Sequence, residues 1–227
     1  MTGNLDLTIR ALPSSGRGNG EHTVLVLHGG SGPDGVTSLI EHLAQTAHVL
    51  APTHPGWAGT PRPDWFTGVD DLAIAYLDLL ADRGHANVTV LGSSFGGWVA
   101  SEMAIRDRGG QLDGIVILNG IGPAVDGYQI RPPARRPGMP DTSSMTVYAE
   151  PDYADPKLLR RLARVATPAL FVWGEDDPVA PVGFGKIYAE AFAGSRFEVL
   201  PGVGHMPTLQ APAETFALID EFLAQRG

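Results

Sequence analysis

The sequence predicts a doubly wound α/β fold with a mostly parallel sheet, and three observations carry that expectation. Short β-rich apolar runs recur at 23–27, 48–51, 87–91, 114–118, 169–173 and 197–200, continuous or nearly so, as strands buried on both faces of a parallel sheet require. Longer helical patterns separate them, the clearest over 69–83, 95–107 and 212–224, the last placing Phe216, Ile219, Phe222 and Leu223 on one face. At 227 residues and 43% hydrophobic, the chain has the material for one large core. Strand followed by helix, repeated, layers helices on both faces of a single sheet.

The elements follow in order. Residues 5–12 read as an opening strand, and the Gly- and Ser-rich stretch 14–20 turns the chain into 23–27, so these two strands are expected to pair as a hairpin. Gly84 and Gly109–Gly110 stop the helices 69–83 and 95–107. The stretch 121–165 breaks the alternation: it holds Pro132, Pro133, Pro137, Gly138 and Pro140, then turns helical over 156–164. It reads as a short lid inserted after the sixth strand, with 1–120 and 166–227 forming the core.

Composition removes several functions. A net charge of −9 repels phosphate backbones, so neither nucleic acid nor an anionic membrane is expected as a partner. With no cysteine, covalent chemistry must use another nucleophile, and no metal or other cofactor is expected. The first twelve residues place Asp6 and Arg10 among scattered apolar positions, unlike the basic-then-apolar order of a signal peptide. No run approaches the ~18 apolar residues of a membrane span, so a soluble cytoplasmic protein is expected.

Four stretches could carry chemistry. Gly92–Ser93–Ser94–Phe95–Gly96 is a G-x-S-x-G match lying where the strand 87–91 must turn into the helix 95–107. So sharp a turn leaves no room beside the serine, and the two glycines supply it. The Ser94 hydroxyl would project above the strand end, near the helix N-terminus whose amides favour developing negative charge. The competing reading makes Ser94 only a helix cap. His28–Gly29–Gly30–Ser31–Gly32 follows the first central strand and exposes backbone N–H groups beside that turn. The amides of Gly30 and Phe95 are the expected pair of an oxyanion hole, and His28 is read as structural, its ring tied to loop backbone. A phosphate-cradling loop needs a glycine–lysine or G-x-G-x-x-G pattern that this stretch lacks.

The other two stretches follow late strands. Gly174–Glu175–Asp176–Asp177–Pro178 comes after 169–173, and Gly204–His205–Met206–Pro207 after 197–200, both at carboxyl strand ends, where open α/β sheets bind ligands. Serine needs a base near neutrality, and histidine, at about 6.5 unperturbed, fits. The base needs a carboxylate to hold its tautomer. Asp177 is preferred to Asp176 because it lies further into the loop, before Pro178, where the chain turns away from the sheet.

At this point the chain resembles the α/β-hydrolase superfamily over nearly its whole length. His28–Gly29–Gly30 is similar to the oxyanion loop, and His54–Pro55–Gly56–Trp57–Ala58–Gly59–Thr60 to the H-P-G-x-G-x-S loop. Gly92 to Gly96 matches the nucleophile elbow, Trp173 to Asp177 the acid loop W-G-x-x-D, and Gly204–His205–Met206–Pro207 the G-H-x-P motif. The resemblance implies a catalytic triad of Ser94, Asp177 and His205, and a serine hydrolase acting on a small-molecule acyl substrate: an ester, lactone or thioester.

Two other branches share parts of this pattern. The branch cleaving C–C bonds in diketone-type ring-fission products is also similar at His28 to Pro33 and Gly92 to Gly97, but usually has Trp where Met206 stands, and a longer helical cap. Proline iminopeptidases normally read G-G-S-W-G at the elbow and carry larger caps. A hydrolase-fold binding protein is the non-enzymatic rival. Ser31, Trp57 and Met206, beside the motif positions, are expected pocket walls, and Tyr128, Tyr148, Tyr153, Met139 and Met145 either line an acyl pocket or fill the core. The bases Arg131, Arg135, Arg136, Lys157, Arg160, Arg161 and Arg164 give the lid a positive balance, suited to a carboxylate-bearing substrate or simply to a solvated helix face.

Overall fold

A computed structural model describes residues 7–12, 22–130, 143–149 and 151–226. In chain order the elements are β1 (Ile9–Leu12), β2 (Thr23–Leu27), α1 (Thr37–Leu43), β3 (His48–Pro52), α2 (Val69–Asp82), β4 (Val88–Ser93), α3 (Phe95–Arg106), β5 (Leu112–Leu118), β6 (Gly122–Pro123), α4 (Ser143–Ala149), β7 (Ala154–Asp155), α5 (Leu158–Leu162), β8 (Ala169–Gly174), α6 (Val182–Glu190), β9 (Arg196–Leu200), α7 (Pro207–Gln210) and α8 (Pro212–Leu223). Among the described residues one seven-stranded sheet runs β1-β3-β2-β4-β5-β8-β9. All its pairs are parallel except the antiparallel β1–β3 edge.

The apolar strand runs explain the layering, because successive residues point to opposite faces. Leu25, Leu27, Val90, Ile115, Ile117, Phe171 and Trp173 face one core, with Leu72, Tyr76, Phe95, Val99 and Tyr188 from α2, α3 and α6. Val24, Val26, Leu91, Val116, Leu118, Leu170 and Val172 face the other, with Leu39, Ile40, Leu43, Ile219 and Phe222 from α1 and α8. Every residue of β2, β4 and β8 is buried.

Two expectations change. β1 and β2 do not form a hairpin: Ile9 lies opposite Pro52 and Leu12 opposite Val49 on β3. β2 is buried throughout and takes parallel partners on both sides, β3 and β4, whereas β1 has two exposed residues and tolerates an edge. The inserted stretch also leaves the sheet after β5, its fifth strand in chain order rather than its sixth, because only β1 precedes the first parallel strand.

The chain steps from β2 to one side for β3 and returns to the other side for β4. The loops that leave the paired carboxyl ends of β2 and β4 therefore run to opposite sides at the point where strand order reverses. Both the glycine-rich loop and Ser94 sit there. Beyond β5, β6 pairs with β7, while Leu158 and Leu162 of α5 are buried. Glu102 on α3, 2% exposed, binds Arg106 one turn on and Arg161 on α5, and Arg161 also pairs with Asp155. Arg161, one of the basic residues of this stretch, is thus committed to acids of its own chain. Residues 131–142 and 150 of this stretch, including Arg131, Pro132, Pro133, Arg135, Arg136, Pro137, Gly138, Met139 and Pro140, lie outside the described residues.

Removing the Glu102 carboxylate takes from two partly solvated guanidinium groups the buried acid they share, leaving Arg106 with Asp70 and Arg161 with Asp155. Glu102→Ala should therefore lower unfolding free energy by about 1–3 kcal/mol, read as a lower urea midpoint at unchanged m-value.

Candidate active site

Ser94 joins β4 to α3 at φ 51° and ψ −114°, a conformation that L-residues hold only where surrounding structure enforces it, at a cost of roughly 1–3 kcal/mol. Its N–H donates to the Leu118 carbonyl at 2.9 Å, and its carbonyl accepts from the amides of Gly97 and Ile121 at 2.9 and 3.2 Å. Neighbouring backbone also demands the two glycines. A Cβ on Gly92 would strike the Gly96 carbonyl, and one on Gly96 would strike the carbonyl of Leu27. The Ser94 side chain makes no capping hydrogen bond to α3. Its hydroxyl instead lies 2.9 Å from His205 Nε2, so the capping alternative falls away.

Loops after β8 and β9 bring the remaining partners. His205 Nδ1 lies 2.8 and 3.0 Å from the two oxygens of Asp177, which is 5% exposed, while neighbouring Asp176 is exposed. Asp177 Oδ1 accepts from the amides of Val179 and Ala180 at 2.8 and 3.1 Å, and Oδ2 accepts from the Asn119 amide. Burial pushes this carboxyl up, but its hydrogen bonds and the charge of His205 outweigh burial and hold it below the ordinary aspartate value. The chain Ser94–His205–Asp177 can therefore move a proton from the hydroxyl to a ring steadied by a carboxylate.

Asn119 was not singled out from sequence. Fully buried at the end of β5 with φ 46°, it donates to Asp177, accepts from the Gly174 amide at 3.2 Å and reaches the Gly204 carbonyl at 3.4 Å. One amide thus ties the acid loop to the histidine loop. Its signal in the sequence is a polar residue closing the apolar run 114–118, on the strand beside that of Ser94.

The glycine-rich loop packs directly on the elbow: a Cβ on Gly29 would lie 3.1 Å from Ser94 Cβ. Among the described hydrogen bonds, the amides of Gly30 and Phe95 have no acceptor. His28 Nδ1 donates to the Gly29 carbonyl at 2.8 Å, and burial holds this ring down to about 4, hence neutral. Trp57 lies behind the loop, 3% exposed, stacked on Phe95 and Tyr148, with its indole N–H on the Gly30 carbonyl at 2.9 Å. Ser31 and Met206 meet at Gly35, where a Cβ would contact both side chains. Tyr148 on α4 donates to the Pro55 carbonyl at 2.9 Å, and Met145 is buried. Among the described residues no group of three or more His, Cys, Asp or Glu could hold a metal ion, and no helix is long and apolar enough to cross a membrane.

This geometry and sheet order define an α/β-hydrolase, and comparison with known proteins agrees. The model of the Alpha/beta hydrolase family matches residues 24–218, and the chain belongs to that family. Monoacylglycerol lipase ABHD6 of Mus musculus is 33% identical over 67 residues, 30% of this chain and 20% of the lipase; the match thus spans about a fifth of that relative's length. An esterase from a Rhodococcus species superposes with a TM-score of 0.78 at 17% identity, covering 97% of this chain and 95% of that one. A mutant meta-cleavage product hydrolase superposes at 0.77 with 18% identity, covering 96% and 94%. At such identities these likenesses establish the fold.

Gly96→Ala should cost about 3 kcal/mol, because the Leu27 carbonyl cannot retreat without breaking the sheet. Asn119→Ala, which strands the Gly174 amide and leaves Asp177 Oδ2 with His205 as its remaining partner among the described hydrogen bonds, should cost about 1–3 kcal/mol. Equilibrium denaturation checks both, and wild-type midpoints would contradict the packing described.

Proposed function

We propose that the chain is a serine hydrolase that cleaves a small carboxylic ester, or a related acyl bond such as a lactone or thioester, with Ser94 as nucleophile, His205 as base and Asp177 as its orienting acid. The observation that carries this reading is the 2.9 Å contact of His205 Nε2 with Ser94 Oγ, continued by Asp177 at Nδ1. With Nδ1–H donating to the carboxylate, Nε2 is left with the lone pair that accepts the serine proton.

Ser94 Oγ attacks the acyl carbon as its proton passes to His205 Nε2, and the carbonyl oxygen takes up the negative charge between the Gly30 and Phe95 amides. The tetrahedral species collapses by breaking the acyl–oxygen bond, and the imidazolium returns its proton to the departing alkoxide. Water then gives a proton to His205 and attacks the acyl-serine. Release of Ser94, which takes that proton back, leaves a carboxylic acid and an alcohol. Asp177 remains the anion throughout and stabilises the imidazolium.

A fluorophosphonate probe should label Ser94 in the wild type, and neither Ser94→Ala nor His205→Ala should label. Folded wild-type protein that stays unlabelled would overturn the reading and favour a binding protein. Turnover of a ring-fission diketone with no p-nitrophenyl ester hydrolysed would move the reaction to C–C cleavage at the same serine.

Asp177→Asn should lower kcat on the order of 10^4-fold, while exposed Asp176→Asn stays within about twofold. Because Asp177 is held below the ordinary carboxylate range, it stays charged well into acid. With that charge constant, wild-type activity should rise from acid to neutral pH, because a general base works only in its unprotonated form. Comparable losses in the two variants, or a flat profile, would contradict these roles.

A further inference from the structure

The loop that carries the Gly30 amide is held by three ring N–H groups on three successive carbonyls. His54 Nε2 meets the His28 carbonyl at 3.0 Å, His28 Nδ1 the Gly29 carbonyl at 2.8 Å and Trp57 Nε1 the Gly30 carbonyl at 2.9 Å. The Gly29 carbonyl and the Gly30 N–H belong to one planar peptide, so fixing the first aims the second.

The contacts also determine where every proton sits. A carbonyl only accepts, so His54 carries its proton on Nε2, and its Nδ1 lone pair must receive the Tyr76 hydroxyl proton across 2.6 Å. The His54 backbone N–H only donates, so His28 Nε2, at 3.0 Å, is a lone pair, and the His28 proton sits on Nδ1 facing Gly29. Burial holds His54 well below the ordinary histidine value, so this ring is neutral too. The hydrogen bonds thus run in one sense from Tyr76 through His54 to the His28 carbonyl, and from the His54 amide through His28 to the peptide of Gly30. His54 and Tyr76 are fully buried, and the two imidazoles lie 3.9 Å apart.

We propose that Tyr76 and His54 are positioning residues for the oxyanion amide of Gly30, with the Tyr76 hydroxyl selecting the one His54 tautomer that can hold the loop; this rests on the serine-hydrolase reading above. Without that hydroxyl the Nδ1–H tautomer becomes accessible, and it turns a lone pair on the His28 carbonyl. The loop then shifts away from the oxygen it must meet in the transition state, while ground-state binding is spared.

Tyr76→Phe keeps the ring and removes only the donor. On the ester that the wild type hydrolyses best, kcat should fall about 10- to 100-fold, with KM within about twofold. Imidazole nitrogen NMR of the intact histidine-labelled protein should show His54 as Nε2–H in the wild type and as a tautomer mixture in the variant. In a His54→Gln background, whose amide donates to the His28 carbonyl and cannot tautomerise, Tyr76→Phe should cost less than about threefold. A silent Tyr76→Phe in an active enzyme overturns the proposal alone. So does a kcat loss that leaves the tautomer unchanged, or one that persists in full beside His54→Gln, since Tyr76 would then act by packing. Wild-type protein that neither hydrolyses esters nor labels at Ser94 removes the hydrolase reading and the proposal with it.

Discussion

The left-handed backbone at Ser94 is the constraint on which the rest of the site depends. A strand that turns into a helix within one residue throws that side chain clear of both elements, and here it does so at the point where strand order reverses. The conformation is unfavourable in isolation and is held by backbone bonds to Leu118, Gly97 and Ile121. Leu118 and Ile121 are in reach only because β5 lies beside β4. Strain at one residue is thus balanced by the pairing of the central sheet, and Gly92 and Gly96 are the residues that let the neighbouring chain approach closely enough to apply it.

Around that residue polar groups fall into two kinds. His205 presents Nε2 to the Ser94 hydroxyl and Nδ1 to the Asp177 carboxylate, and Ser94 and His205 keep partial contact with solvent. His28, His54 and Tyr76 are linked by bonds whose direction is settled by backbone groups that can only donate or only accept. Burial keeps both of those histidines neutral. Two imidazole systems therefore meet within one site, one partly open to solvent and the other buried among backbone groups that fix where its protons sit.

The described residues of the stretch 121–165 are tied to the core through hydrogen bonds, an aromatic stack and an ion pair. Ser144 and Tyr148 on α4 donate to the carbonyls of Gly56 and Pro55, and Tyr148 stacks on Trp57, which holds the Gly30 carbonyl. Arg161 on α5 meets buried Glu102. The aromatic contact couples the inserted helix to the loop beside Ser94, and the ion pair couples it to the helix that Ser94 begins.

Much of this was legible in the residues alone. The apolar strand runs, the glycine pair around Ser94, and the order serine, aspartate, histidine at strand ends follow from local steric and chemical demands, which is why the doubly wound class, and the candidates Ser94, Asp177 and His205 that the fold brings within hydrogen-bonding distance, are legible in the residues. The choice of Asp177 over Asp176 could be argued from the loop and agrees with their burial. Strand partners could not be read that way. β1 pairs with β3 rather than β2 because a fully buried strand needs neighbours on both sides, a demand set by the whole sheet. His28 could be read as tied to its loop backbone, but Asn119 and the bonds that His54 and Tyr76 add were equally hidden. Their members come from separate elements and acquire direction only when the fold places a donor against an acceptor and removes the water that could have replaced either.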